Sequence, residues 1–245
     1  MLLSIAIFAG MSFAEQTPTE VTVEQVLQEV DDLFRREHSI VTMQMRVKTK
    51  RYERTMTMEA TSLGTENTLI KILEPAKDAG TCTLKVDQSI WNYLPRVDRT
   101  MKIPAGMMGG AWMGSHLSND DLVKENRFSQ DFSAQFLSKP GLNNGDEYVI
   151  ELVPKEDTAI VWGKIVSRST AALLPIEVKY YDEDGTLKRT DSFSEIKEMD
   201  GVKIPSVFTI TPAEKPGELT EITYIKADFT TPVSKDQFSL QALKK

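Results

Sequence analysis

The feature that most constrains the fold is the alternation of apolar and polar residues in short segments of the chain. Between residues 41 and 48, valine or methionine occupies every odd position and a polar side chain every even one. Because successive side chains of a strand point to opposite faces, this pattern predicts a strand with one buried face. Ten further segments fit strands: residues 52–61, 67–73, 81–86, 89–94, 147–154, 160–167, 175–181, 187–196, 206–212 and 219–229.

Turn signals between these segments indicate how the strands connect. Asp182 to Gly185 has the composition of a hairpin turn, and Gly201 to Pro205 marks another turn that leads into a strand. Short strands separated by turns predict an antiparallel meander rather than βαβ units. The simplest arrangement of about eleven such strands is one curved antiparallel sheet with helices against its concave face.

One helix is predicted over residues 23–38, after Thr22 as N-cap and with Gln25 three residues later. Its apolar residues recur at helical spacing and form one face. They are Val23, Val26, Leu27, Val30, Leu33 and Phe34. A second helix start is predicted at 118–121, where acidic residues suit the first turn. Residues 126–137, with phenylalanines four apart, fit either a helix or irregular structure.

Composition limits the classes of function. The chain has 245 residues, of which 40% are hydrophobic, enough for one sizeable core. Its formal net charge is -7, and it has no long run of Lys and Arg, so we expect no nucleic-acid partner. Cys82 is the single cysteine, which excludes an internal disulfide, and its place in a predicted strand favours a structural role.

The N-terminus has the pattern of an export signal. Residues 2–13 form a short apolar run, and Ala14 completes a small-x-small cleavage pattern before Glu15. The run is too short for a membrane-spanning helix, which needs roughly 20 residues. We therefore expect a signal peptide at 1–14 and a single soluble periplasmic domain at 15–245; the alternative is a buried N-terminal helix or strand.

Candidate catalytic and metal-binding patterns are weak. The two histidines, His38 and His116, lie outside any pattern with metal-ligand spacing. The chain contains no Gly-x-Ser-x-Gly segment, and no Gly-Lys-Ser/Thr follows the glycines around Gly109. Asp120 and Asp121 fit helix capping better than an acid–base pair. We expect no enzyme, no metal and no cofactor, since hydrolysis of lipids or envelope polymers would need a nucleophile–base pair.

The segment around 101–114 combines methionine, glycine and tryptophan. Methionine makes adaptable apolar contacts, and glycine permits unusual backbone angles. Met107, Met108, Trp112 and Met113 could therefore either pack onto the core or receive a flexible apolar ligand. The basic residues just before them could bind an anionic headgroup or a partner, or they could simply be solvated. These residues are Arg96, Arg99 and Lys102.

The same region resembles the outer-membrane lipoprotein-sorting protein family, the LolA-like periplasmic carriers. The resemblance rests on a Trp-x-Tyr-Leu-Pro segment, a Met-Gly-Ser segment followed by acidic residues, and a Phe-x-Leu ending. In this chain they are Trp91 to Arg96 with Arg99 and Ile103, Met113 to Ser115 with Asp120 to Leu122, and Phe238 to Leu240. The chain departs from the family pattern where His116 and Leu117 replace Asp-Phe and Asn119 and Asp120 replace Tyr-Glu.

The resemblance implies an incomplete, mainly β barrel of about eleven antiparallel strands whose helices cover a hydrophobic cavity. It also implies a carrier that takes up acyl chains of a lipoprotein or lipid, shuttles them between envelope membranes and docks to an inner-membrane export system. We expect the ligand to contact Trp91, Tyr93, Met107, Met108, Trp112, Met113, Leu33 and Phe34, together with Val30. We expect a partner to contact Arg96, Arg99 and Lys102. The alternative is an accessory protein of an inner-membrane transporter that binds no lipid.

Overall fold

The computed structural model describes residues 21–34, 36–124, 128–141, 146–156, 158 and 160–244. The segment predicted as a signal peptide, 1–14, lies outside the described residues. The described α-helices are α1 (Val23–Phe34), α2 (Asn119–Lys124) and α3 (Phe128–Asp131). The described strands are β1 (His38–Lys48), β2 (Glu53–Leu63), β3 (Asn67–Glu74), β4 (Cys82–Val86), β5 (Ser89–Leu94), β6 (Arg99–Lys102), β7 (Phe132–Ser138), β8 (Glu147–Pro154), β9 (Lys164–Thr170), β10 (Pro175–Tyr181), β11 (Leu187–Met199), β12 (Val202–Pro212) and β13 (Leu219–Asp228).

The thirteen described strands form one curved antiparallel sheet in the order β6-β5-β4-β3-β2-β1-β13-β12-β11-β10-β9-β8-β7. It consists of two meanders, β1–β6 and β7–β13, which join where β1 pairs with β13. The edge strands are β6 and β7, and the segment between them in the chain contains α2 and α3. That segment therefore connects the two edges of the sheet. No helix of the described ranges is long and apolar enough to cross a membrane.

The predicted strands are present, some with shifted ends, and two strands were not predicted. Helix α1 ends at Phe34 rather than at residue 38, because His38 already pairs with Leu63 in the ladder of β1 and β2. Strand β9 begins at Lys164 rather than at residue 160. The additional strands are β6, which is four residues long, and β7, which follows α3 directly. The prediction of eleven strands was thus low by two.

Local capping explains where two of the helices begin. At α1, the Thr22 amide donates to Gln25 Oε1 at 2.9 Å, and the Gln25 amide donates to Thr22 Oγ1 at 3.2 Å. At α2, the Ser118 amide donates to Asp121 Oδ2 at 2.7 Å, and the Asp121 amide donates to Ser118 Oγ at 3.0 Å. Each pair is a reciprocal capping box, which satisfies amides that lack a helical partner. The predicted starts of both helices are confirmed.

The register of the strands assigns each side chain to one face of the sheet. Val41, Ala60, Ile70 and Thr83 are successive register partners across β1–β4, and we call the face that they share the inner face. Its largest apolar cluster is centred on methionines of β1 and β2 that are at most 1% exposed. These are Met45, Met56 and Met58.

The opposite, outer face of β4 and β5 is covered by the C-terminal segment. Cys82, Leu84 and Tyr93 pack there with Val233 and Phe238. The thiol of Cys82 is buried and donates to the carbonyl of Gly80 at 3.3 Å; burial raises its pKa, which favours the neutral thiol. The cysteine therefore has the structural place expected for it.

Candidate ligand cavity

A cavity of about 270 Å³ lies on the inner face of the sheet. Both meanders contribute to its wall, since lining side chains come from β1 to β4 and from β9 to β13. The apolar lining from the sheet includes Met43, Ile70, Val178, Phe193, Phe208 and Ile222. A flexible apolar molecule in this cavity would contact both halves of the sheet at once.

Further apolar wall comes from segments outside the sheet. Leu27 and Val30 of α1 line the cavity, as do Leu122 of α2 and Phe128 of α3. The loop between β6 and α2 adds Trp112 and Leu117, which are 3% and 5% exposed. Each of the three described α-helices thus contributes a side chain to the cavity wall.

The indole of Trp112 is fixed by hydrogen bonds to the inner face. Its Nε1 donates to Thr83 Oγ1 at 3.1 Å, and that hydroxyl donates to Asn92 Oδ1 at 2.8 Å. The amide of Trp112 also donates to the carbonyl of Leu117 at 2.7 Å. Because a buried indole NH is costly without a partner, these bonds allow the large ring to form part of the wall.

The backbone carbonyls of the loop around Trp112 accept hydrogen bonds from β2 and from the residue that precedes this strand. The phenol of Tyr52 donates to the carbonyl of Gly114 at 2.6 Å, and the Arg54 guanidinium donates to the carbonyl of Met113. Met113 and Gly114 have φ values of 48° and 67°, in the left-handed region. A Cβ at Gly114 would lie 2.9 Å from the Tyr52 hydroxyl, so both the backbone angle and the close approach require glycine.

His116 attaches the same loop to β13. Its Nδ1 lies 2.9 Å from Thr220 Oγ1, and its Nε2 lies 3.2 Å from Glu218 Oε2. Two hydrogen bonds lower the pKa of Glu218. The larger effect comes from the backbone amide of Lys50, and the next largest from the side chain of His116. The His116 and Glu218 side chains are only 8% and 11% exposed. The histidine is therefore a structural contact between loop and sheet.

A buried ionic cluster joins α2 to β11. Arg189 donates from Nε and Nη2 to the two carboxylate oxygens of Asp191, each at 2.6 Å, and its Nη1 lies 3.0 Å from Asp121 Oδ1. Burial opposes the charge of Arg189, but the attraction of Asp191 and Asp121 outweighs it and raises the pKa well above its ordinary value. The arginine is 8% exposed, so the cluster is a desolvated attachment of the helix.

The predicted ligand residues occupy different parts of the molecule. Trp112 lines the cavity, and Met113 packs against the inner-face core. Met107 is 61% exposed, and Met108 lines a separate surface groove beside β6. Leu33 lies on α1 but is not among the residues that line the cavity, and the side chain of Phe34 lies outside the described part of the chain.

Trp91 and Tyr93 lie on the outer face of β5, because their register partners Leu84 and Cys82 point to that side. The Lys102 ammonium lies 5.3 Å from the centre of the Trp91 ring. Tyr93 donates from its hydroxyl to Asp98 Oδ1 at 3.2 Å. The C-terminal segment covers this side of the sheet, so the structure does not bring these two aromatics to the cavity.

The predicted partner residues are exposed and lie at one edge of the sheet. Arg96 is in a short 3-10 helix, Pro95–Val97, and Arg99 and Lys102 belong to edge strand β6. In the register of β5 and β6, Arg99 pairs with Leu94 and Lys102 with Trp91, which places them on opposite faces. A common docking surface for all three residues stays a prediction.

Several cavity residues on the second meander are not among those predicted from the sequence. Phe193 and Phe208 are register partners whose rings stack with centres 5.0 Å apart, and Tyr224 lines the same cavity. The sequence contained a signal for them, since all three lie in strands whose apolar and polar residues alternate. The sequence did not show which face of each strand is the inner one. Among the described residues, no group of three or more His, Cys, Asp or Glu could hold a metal ion.

Comparison with known proteins identifies the fold and the family. The chain superposes on a DUF1329 family protein from Desulfovibrio piger with a TM-score of 0.78, at 20% identity over 89% of this chain and 96% of that one. For a putative outer membrane lipoprotein-sorting protein domain from Vibrio parahaemolyticus, the TM-score is 0.73, the identity 24% and the coverage 90% and 97%. For a LolA superfamily protein from Nitrosomonas europaea, the values are 0.74, 22%, 91% and 100%.

These identities establish a shared fold, and the family follows from sequence. No curated protein matches the chain significantly. A family model described as uncharacterized protein matches residues 64–245, well over half of the chain. The chain therefore belongs to the family of uncharacterized proteins that this model describes, and it shares its fold with the DUF1329 family protein, the putative lipoprotein-sorting protein domain and the LolA superfamily protein.

Proposed function

We propose that this protein is a periplasmic carrier that holds the acyl chains of a lipid or lipoprotein in the inner-face cavity and moves them between envelope membranes. The observation that carries the proposal is the cavity itself, whose apolar lining comes from both meanders and from the three described α-helices. The apolar run at 2–13 followed by Ala14 supports export of the chain. The process needs no chemical step, only binding and release.

Burial of apolar surface supplies the affinity. Each methylene removed from water contributes roughly 0.8 kcal/mol, so a dozen methylenes contribute about 10 kcal/mol before the entropic cost of binding. An exchangeable ligand must also leave, and a membrane offers its chains an equally apolar environment. The free energy of moving the chains between the cavity and a bilayer is therefore close to zero, which suits a carrier that releases its ligand.

The helices and the loop after β6 form the cover of the concave face in this proposal. The loop is fixed by Tyr52, and α2 is fixed by its ion pair with Arg189. Among the described side chains of helix α1, Val26 and Leu27 attach it through apolar contacts. Apolar contacts are not directional and re-form easily, so α1 is the element that moves to admit the chains.

A cavity-filling variant tests this proposal. Ala60 is 8% exposed and lines the cavity from the middle of β2, so Ala60→Trp fills the space that acyl chains would occupy. We expect wild-type protein to bind a phospholipid with a fluorescent acyl chain and to transfer it between vesicles. We expect A60W to bind it at least tenfold more weakly.

The matched control is Ala213→Trp, at an exposed position in the turn after β12. A213W should bind and transfer the phospholipid as the wild type does. Circular dichroism and urea unfolding should establish that both variants are folded, because overpacking costs about 1–3 kcal/mol. Wild-type protein that binds no acylated ligand, or an A60W variant that binds as well as wild type, would overturn the proposed carrier.

A further inference from the structure

Edge strand β6 and the hairpin that leads into it are basic, although the chain as a whole is acidic. Between residues 94 and 119 the basic side chains are Arg96, Arg99 and Lys102, and the one acidic side chain is Asp98. The formal net charge of the chain is -7. The charge of this stretch is therefore opposite in sign to that of the molecule. We call residues 94–102 the basic edge.

The acidic residue within the basic edge is paired, and the two arginines are not. The Lys244 ammonium lies 2.8 Å from Asp98 Oδ1, and the Tyr93 hydroxyl donates to the same oxygen at 3.2 Å. These two hydrogen bonds, the one from Lys244 first, lower the pKa of Asp98 and keep it ionised in its pair. Within the described part of the chain, Arg96 and Arg99 are exposed and have no ion-pair partner. Their charges are therefore available to an anionic surface.

The segments beside the basic edge do not reverse its charge. The loop 75–80, which lies against Pro95 through Gly80, adds one lysine and one aspartate. Asp87 and Asp120 lie toward the opposite end of β5, in the turn before this strand and in the groove beside it. The excess of positive charge is therefore concentrated at the hairpin between β5 and β6.

The same hairpin exposes apolar side chains next to the basic ones. Val97 is 66% exposed and follows Arg96 in the short 3-10 helix. Leu94 is 36% exposed and pairs with Arg99 across the hairpin. On an anionic bilayer, apolar side chains gain by entering the boundary of the acyl chains while basic side chains contact the phosphates. The hairpin offers both kinds of side chain at one place.

The position of the basic side chains fits an approach along the edge of the sheet. Arg99 and Lys102 lie on opposite faces of β6 and three residues apart, about 10 Å along the strand. A partner seated on one face of the sheet would meet only one of them. A flat surface that meets the edge is within reach of both, because long basic side chains turn their charged ends toward phosphates. The half-buried Trp91 beside Lys102 adds an aromatic ring of the kind that favours a membrane interface.

We propose that the basic edge is the surface by which the protein lies on an anionic bilayer, with the hairpin between β5 and β6 in the head-group region. The inference rests on the proposed carrier function and adds the chemistry of the membrane at which the carrier exchanges its ligand. Strand β6 leads directly into the loop that contains Trp112, a residue of the cavity wall. Contact at this edge therefore brings the cover of the cavity toward the bilayer.

The test measures flotation of the protein with vesicles of two compositions, phosphatidylcholine alone and phosphatidylcholine with about one third phosphatidylglycerol. We expect the wild type to bind the anionic vesicles at least tenfold more tightly at low salt, and to lose most of this difference at high salt. Arg96→Gln combined with Arg99→Gln should weaken binding to anionic vesicles about thirtyfold, since each basic residue at the surface contributes about fivefold. Val97→Ser should weaken it about fivefold and leave the salt dependence unchanged, because it removes apolar surface and no charge.

The matched control is Lys203→Gln combined with Lys226→Gln. Both lysines are exposed, and they belong to β12 and β13, away from either edge of the sheet. This variant removes the same net charge as the arginine pair, so it should bind anionic vesicles within about twofold of the wild type. An equal loss in the two double variants would overturn the assignment, because only net charge would then matter.

Uptake of a fluorescent phospholipid in solution separates this inference from the proposed function. The arginine double variant should take up the phospholipid as the wild type does, and should deliver it to anionic vesicles more slowly. Wild-type protein that takes up phospholipid but binds both kinds of vesicle equally would overturn the membrane surface and leave the carrier intact. Wild-type protein that binds anionic vesicles but takes up no phospholipid would overturn the carrier alone.

An acidic protein is the other occupant that a basic edge would suit. It would be distinguished by wild-type protein that binds no vesicles, yet loses delivery in the cell envelope when Arg96 and Arg99 are replaced. That outcome would assign the edge to a protein partner and overturn the membrane inference.

Discussion

Gly114 shows at the scale of one residue how the loop after β6 is held against the sheet. Its φ of 67° costs a residue with a Cβ roughly 1–2 kcal/mol, and the added carbon would also lie 2.9 Å from the Tyr52 hydroxyl. We therefore expect Gly114→Ala to destabilise the protein by more than Gly64→Ala, measured as the free energy of unfolding in urea. Gly64 has a φ of 57° and open space around its Cβ position, so it isolates the cost of the backbone angle.

Equal losses in G114A and G64A would contradict the role of the Tyr52 contact. A double variant adds a second comparison. In a Tyr52→Phe background, the clash with the hydroxyl is absent, so G114A should cost less than in the wild type. An unchanged cost in that background would show that Tyr52 does not set the space at Gly114.

Asp228 makes the stability of the fold depend on pH, and the sign follows from its pKa shift. Hydrogen bonds from the Thr231 hydroxyl, and then from the amides of Thr231 and Thr230, lower the pKa of Asp228 from 3.8 to about 2. Since the folded pKa is the lower one, the stabilisation is complete above about pH 4 and is lost as the pH falls toward 2. We expect the urea midpoint of Asp228→Asn to fall less than that of the wild type between pH 5 and pH 2.5. Parallel curves for the two proteins would contradict this assignment.

Contacts between neighbours in sequence could be predicted from the sequence, and contacts between distant residues could not. The capping pairs Thr22–Gln25 and Ser118–Asp121 lie three residues apart, so residue type and spacing were sufficient. The contact of Asp121 with Arg189 joins residues that only the sheet brings together. Capping explained one role of Asp121 but not this second one.

At the scale of elements, strand β7 was missed because its phenylalanines are four residues apart. A spacing of four fits a helix face, but it is also a multiple of the strand period of two. Phe132 and Phe136 in fact lie on one face of β7, and Phe128 belongs to α3. Strand β6, Arg99–Lys102, was missed because four mainly polar residues give too short a pattern.

The ionic cluster that joins α2 to β11 allows a prediction for these elements. Arg189→Met leaves Asp191 and Asp121 without their shared cation, and Asp191 is 2% exposed. Breaking a buried ion pair on one side costs about 3–5 kcal/mol, so we expect a loss of that size in the free energy of unfolding. Lys179→Met is the control, because Lys179 lies on the outer face of β10 and should cost about 0.5 kcal/mol or less. A loss below about 1 kcal/mol in R189M would contradict a structural role for the cluster.

At the scale of the whole molecule, the pairing of β1 with β13 determines which residues of the two meanders lie close together. It joins the two meanders into one sheet, and the cavity collects side chains from both. Alternation could predict strands and the resemblance could predict a curved sheet, but neither could specify which face of β5 is the inner one. Trp91 and Tyr93 therefore lie on the outer face, whereas Trp112 lines the cavity.

The methionines illustrate the same limit. The methionines predicted as ligand contacts are clustered in the loop after β6, but Met107 is largely exposed. Met43, Met45, Met56 and Met58 are spread over two strands, and pairing brings them together on the inner face. A cavity-lining side chain could thus be predicted at Trp112, where the local sequence places a large ring, but not at positions that depend on strand pairing.

The measurement that tests the central claim most directly is native mass spectrometry of the mature protein purified from its own cell envelope, with A60W and A213W purified in parallel. We predict that the wild type and A213W carry an added mass, that organic extraction releases it as an acylated molecule, and that A60W is empty. Wild-type protein of bare polypeptide mass that also takes up no added phospholipid would contradict the account.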